Sequence, residues 1–144
     1  VSGVCMNWTD SAFNTRAPGL DINMSTTDWA KFVQLHLRGL RGDPGLLLEP
    51  ATFQKLHAPV QSVALGWTIG TPGGVITSVH HGSAGTFDSY AVVQPSRDVA
   101  VIVVTNSVTL HSDDALVDAA SGLLILSQNE PAAAPIASRS LAFR

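Results

Sequence analysis

Between residues 25 and 40 the apolar positions recur at helical spacing. In "STTDWAKFVQLHLRGL", Trp29, Phe32, Val33, Leu37 and Leu40 fall on one stripe. Ser25 or Thr26 can cap the start, Asp28 stands in the first turn, and Gly39 or Gly42 marks the end. "LLLEPATFQKLHAP" predicts a second, shorter helix, with Pro50 in its first turn and Pro59 just past its end. After Pro59 the period changes. "ALGWTIG", "GVITSVHH", "FDSYAVVQP" and "DVAVIVVTN" are short runs rich in β-branched and aromatic residues, separated by turn formers. They predict antiparallel strands joined by hairpins. The run from Val99 to Thr105 is apolar up to its closing threonine, a pattern suited to a strand covered on both faces. "SDDALVDAASGLLILS" predicts a closing helix capped by Ser112, with Asp113 and Asp114 in its positive first turn and Leu116, Leu123 and Leu124 toward the sheet.

These elements predict an α+β fold, an antiparallel sheet with helices packed on it, as one unit over residues 1–126. Residues 1–21 show no sustained period and read as an irregular lead-in. Residues 127–144, rich in Ala, Pro and Ser, have little to bury and read as a disordered tail. At 144 residues and 45% hydrophobic the chain can build one ordinary core.

Charge narrows the partners. The net charge is −3, and the eight basic residues are scattered singly, so neither a phosphate backbone nor an acidic membrane is an expected partner. No apolar run approaches the roughly 20 residues of a membrane span. Cys5 is the single cysteine, which excludes an internal disulfide. His36, His57 and His111 show no His-Glu-x-x-His or comparable spacing, so no metal centre is expected.

The candidate chemistry lies in "SVHHGSAGTFDSYAVV", where His80 and His81 adjoin a glycine-rich turn. As residues alone, the two histidines also fit a strand end with one ring solvated and one packed. "HGSAG" is not a nucleophile elbow, because His81 replaces its first glycine and a strand, not a helix, follows.

The order "STTDWAKFVQLHLRG", "LLEPATFQKL", "ALGWTIG", "GGVITSVHHGSAGTFDSYAVVQPSRDVAVIVVTN" resembles the C-terminal half of the serine β-lactamase-like hydrolases. The similar branch holds class C enzymes, esterases and D-amino-acid peptidases. The resemblance runs from about Gly19 to Leu124, with His80-His81-Gly82 at the family's His-x-Gly position. It implies acyl transfer from a small-molecule amide or ester, without a cofactor, in a periplasmic or secreted setting. It also implies roles. The backbone N–H of Ser83 would donate to the oxyanion, His80 would be a hydrogen-bond or proton partner, and Gly82 would let substrate lie against the strand. His81, turned to the other face, and Phe87, following the turn, would be substrate contacts. An imidazole, with an ordinary pKa of about 6.5, can stand in part for the lysine of sister enzymes.

The chain departs from that pattern in one respect. The family takes its nucleophile from Ser-x-x-Lys and a second polar pair from Tyr-x-Asn. Lys31 is preceded three residues earlier by Asp28, Lys55 by Thr52, and the single Tyr90 is followed by Ala91 and Val92. Two readings stand: part of a serine hydrolase whose nucleophile lies elsewhere, or a binding module that kept the strands and lost catalysis.

Overall fold

The computed structural model of the chain describes residues 22, 24–83, 87–109 and 111–129. The lead-in over 1–21, Cys5 within it, the turn at 84–86 and the tail from 130 lie outside the described residues.

Helix α1, Thr26–Arg41, starts where Ser25 caps it: the Ser25 hydroxyl oxygen accepts from the Asp28 N–H at 3.1 Å. It stops at Gly42, whose φ of 82° is left-handed and suits glycine. Helix α2, Pro50–Leu56, begins on its proline. The two helices meet through Phe53, fully buried, whose ring occupies the space a side chain at Gly39 would need.

The four predicted strands form one antiparallel sheet in the order β1 (Thr68–Gly70), β2 (Thr77–Ser83), β3 (Asp88–Gln94), β4 (Val99–Thr105). β2 continues through Gly82 and Ser83, past the point where its hydrophobic run ends, because it pairs with β3 along its length from Ser78↔Val93 to Ser83↔Asp88. Alternation then splits the sheet into two cores. Trp67, Ala91 and Val93 pack with Val33 and Leu37 of α1 on one face. Val92 and Val101 pack with Ala120 on the other. Ala120 belongs to helix α3, Ser112–Asn129. β4 thus touches a core on each face, as its apolar run predicts, but only Val101 is buried and Val104 is 44% exposed.

Two expectations need correction. α3 runs to Asn129, so residues 127–129, assigned to the tail, are helical. Leu123 is 45% exposed, whereas Leu116 and Ala120 are buried and Leu124 packs against the sheet. The contact row is Ser112, Leu116, Ala120, Leu124. Each step of four residues winds it about 40° around the helix, and Leu123, about 100° from Leu124, falls outside this row. Among the described residues no helix is long and apolar enough to cross a membrane.

Candidate functional site

Strand geometry decides what the His-x-Gly segment presents. Cross-strand partners share a face, so His80 and Gly82 stand with Ala91 and Ser89 on the α1 side. His81 and Ser83 stand with Tyr90 and Asp88 on the α3 side. The adjacent histidines thus belong to two different environments.

On the α1 side, His80 Nδ1 lies 2.7 Å from the carbonyl oxygen of Gly66. A carbonyl can only accept, so Nδ1 carries the proton. Nε2 of the neutral ring is then the acceptor, and it lies 3.5 Å from where a side chain at Gly82 would begin. The ring is exposed and leans edge-on to Trp67, with centroids 6.0 Å apart. Ser89 also closes on Gly82, its hydroxyl donating to the Gly82 carbonyl at 3.1 Å. A Cβ on Gly82 would meet the Ser89 hydroxyl at 3.1 Å, so bare backbone suits this position.

The edge of β2 is the second element of the site. β1 ends at Thr68↔Val79, so among the described residues no strand covers β2 from His80 to Ser83 on that side. Two observations fix which amides point there. The Ile69 N–H donates to Ser62, away from β2, so Thr68 and its partner Val79 face each other, and His81 and Ser83 follow with period two. The Gly82 carbonyl points to β3, where Ser89 reaches it, and across a trans peptide the next N–H points the opposite way. The Ser83 N–H is therefore aimed at the uncovered edge, adjacent to His80 and Gly82. Phe87, beyond the turn, is 54% exposed.

On the α3 side, Asp88 is buried at 1% exposure. Its Oδ2 accepts from the Ser112 hydroxyl at 2.8 Å. Hydrogen bonding from the Ser83 side chain does most to hold the Asp88 carboxyl below the ordinary carboxylate range. Burial opposes this, and Ser112 and His81 add to it. His81 Nε2 lies 3.5 Å from Asp88 Oδ1 and 3.4 Å from Asp113 Oδ1. His81, expected among the substrate contacts, thus turns toward two carboxylates.

A further polar line runs beneath the α1 face and has no counterpart in the sequence reading. His36 Nδ1 and His57 Nε2 share a hydrogen bond of 2.8 Å, and His57 Nδ1 and Ser78 Oγ share another of 2.8 Å. Burial first, then the neighbouring His36, pulls the His57 pKa down to about 4, and burial lowers that of His36. A serine bonded to a histidine that is bonded in turn to a third group has the connectivity of an activated nucleophile. Ser78, however, is 2% exposed and closed to substrate. The line ties α1, α2 and β2 together as a structural network. One signal of it was available: His36 lies on the apolar stripe of α1, beside Val33 and Leu37.

No curated protein and no solved structure matches the chain. The model of one protein family, described as Beta-lactamase, matches residues 5–124. Among the described residues that span holds both faces of the His-x-Gly strand and every helix and strand named above, apart from residues 125–129 of α3. With a four-stranded antiparallel sheet, helices on both faces and a glycine-backed strand end left open on one edge, the chain belongs to the Beta-lactamase family.

Proposed function

We propose that this chain supplies the His-x-Gly wall of a serine acyl-transfer site in the branch of class C β-lactamases, esterases and D-peptidases. The serine nucleophile lies outside these 144 residues. The observation that carries this reading is the open edge of β2, where the Ser83 N–H is aimed outward beside the His80 ring and the bare backbone of Gly82. A substrate carbonyl laid along that edge meets a fixed donor, and a fixed donor stabilises a developing oxyanion without reorganising. His80 holds its Nδ1 proton against Gly66, which leaves Nε2 to accept from or guide a polar group on substrate. Phe87 offers an exposed apolar surface to the acyl group. The chemistry uses side chains and backbone alone and needs no cofactor. Family membership supports serine hydrolase chemistry. The lack of Ser-x-x-Lys in the sequence supports a nucleophile supplied from elsewhere and equally keeps the non-catalytic binding module as the second reading.

The test is a comparison of two adjacent alanine variants in an active enzyme that includes this chain. His80→Ala should lower turnover by about 10²–10³, the range for loss of an electrostatic partner in the transition state, with circular dichroism unchanged. His81→Ala, on the opposite face, should cost much less. Equal losses, or a larger one at His81, would place the substrate on the α3 face and overturn the assignment.

A further inference from the structure

The α3 face holds a group of side chains that acyl transfer does not use. His81 comes from β2, Asp88 from the start of β3, and Asp113 from the first turn of α3. One ligand atom from each lies within 4.8 Å of the other two. The spacings are informative. A charge-assisted N–H···O bond settles at about 2.7–2.9 Å, whereas His81 Nε2 stands 3.5 Å from Asp88 Oδ1 and 3.4 Å from Asp113 Oδ1. Those distances are long for hydrogen bonds. They lie close to the separation of two ligands on one tetrahedral zinc, roughly 3.3–3.4 Å for bonds of about 2.0–2.1 Å. The second observation is independent. Asp88 Oδ1 is buried and has no donor within hydrogen-bond geometry, although the carboxylate as a whole is stabilised by the Ser112 and Ser83 hydroxyls. A buried charged oxygen without a well-formed hydrogen bond is costly, and here the groups around it are the His81 ring nitrogen at 3.5 Å and the Asp113 carboxylate within 4.8 Å.

We propose that His81 Nε2, Asp88 Oδ1 and Asp113 Oδ1 form a binding site for a divalent transition-metal ion, with zinc the ion whose ligand preference fits. Imidazole with two carboxylates suits zinc. Magnesium and calcium take oxygen ligands, and a softer thiolate set is not present here. Three protein ligands leave a fourth position for water. The ion would neutralise two carboxylates held close together and staple the first turn of α3 to the β2–β3 pair, directly behind the His80 wall. The expectation of no metal rested on the spacing of His36, His57 and His111, a criterion blind to ligands that come singly from three elements. This inference stands apart from the acyl-transfer reading and survives its failure.

The test is calorimetric titration of zinc chloride into the untagged chain and its variants. The chain should bind one zinc ion per molecule. Loss of an outer partner of a metal site typically costs ~10–100-fold in affinity, so removing a ligand should weaken binding by at least about tenfold. Asp88→Asn risks the fold, because Asp88 is buried against Ser112. The decisive variants are therefore Asp113→Asn, whose side chain is 70% exposed, and His81→Gln, 38% exposed. His111→Gln and Cys5→Ser change metal-binding residue types that are not among the three proposed ligands and should leave the affinity unchanged. Absence of zinc binding, undiminished binding in both Asp113→Asn and His81→Gln, or loss in either control variant would overturn the site.

Discussion

A histidine that must stay neutral to be buried makes stability depend on pH. His36 lies against the rings of Phe32, Phe53 and Trp67, and His57 stacks on Trp67 with centroids 4.6 Å apart. The unfolded chain binds a proton at His57 near the ordinary value of about 6.5, and the folded chain only near 4. Between those values the unfolded state holds more protons, so acid favours unfolding. Stability should be full above about pH 6.5, fall as the pH drops from there toward 4, and level off for this group below it. Urea midpoints across that range measure the slope. His57→Gln, which cannot titrate, should show a shallower slope, with the remainder due to His36; an unchanged slope would mean His57 is protonated in the fold. The pairing was not legible in the sequence. His36 and His57 are 21 residues apart on a helix and at a helix end, and only the α1–α2 packing brings them together. The same holds for His81, Asp88 and Asp113. Each residue type was visible, but their convergence depends on strand register and on where α3 lands.

At the scale of elements, local chemistry was the legible part. Ser25, Gly42 and Pro50 mark their helix ends with side-chain and backbone preferences that need no tertiary partner. The Leu123 expectation failed because periodicity gives the broad apolar face of a helix but not which row of that face meets the sheet, and here the row runs through Leu116, Ala120 and Leu124. The α1–α2 contact offers a sharp test of packing. A Cβ at Gly39 would overlap the ring of Phe53, which is itself fully buried. Gly39→Ala should gain up to ~1 kcal/mol in helix propensity and lose more to overpacking, typically about 1–3 kcal/mol. A lower urea midpoint is expected. A raised midpoint would show that Phe53 can rotate away and that the two helices are not tightly seated.

For the whole molecule, the open question is what completes the sheet. Among the described residues β4 pairs with β3 alone, so its other edge carries the unpaired N–H and C=O groups that invite another strand. Arg97 and Asp98 precede the run and no charge or proline interrupts it. The stretch "NWTDSAF", able to serve as a substitute strand, lies outside the described residues. The chain on its own should associate through this edge. Light scattering over a dilution series should show concentration-dependent mass, with hydrogen exchange at residues 101–104 slowed as the mass rises. A stable monomer with those amides protected at every concentration would rule out edge association.

Under the proposed function this chain contributes a wall and not a nucleophile to an acyl-transfer site. The most direct measurement is to treat the chain alone, and the product of a longer reading frame that includes it, with a fluorescent penicillin and a fluorophosphonate, then map any adduct by mass spectrometry. No stoichiometric adduct is expected on any serine of these 144 residues, and in the longer product a single adduct is expected on a Ser-x-x-Lys serine outside them. A stoichiometric adduct on Ser83, Ser78 or any other serine of this chain would contradict the proposed function.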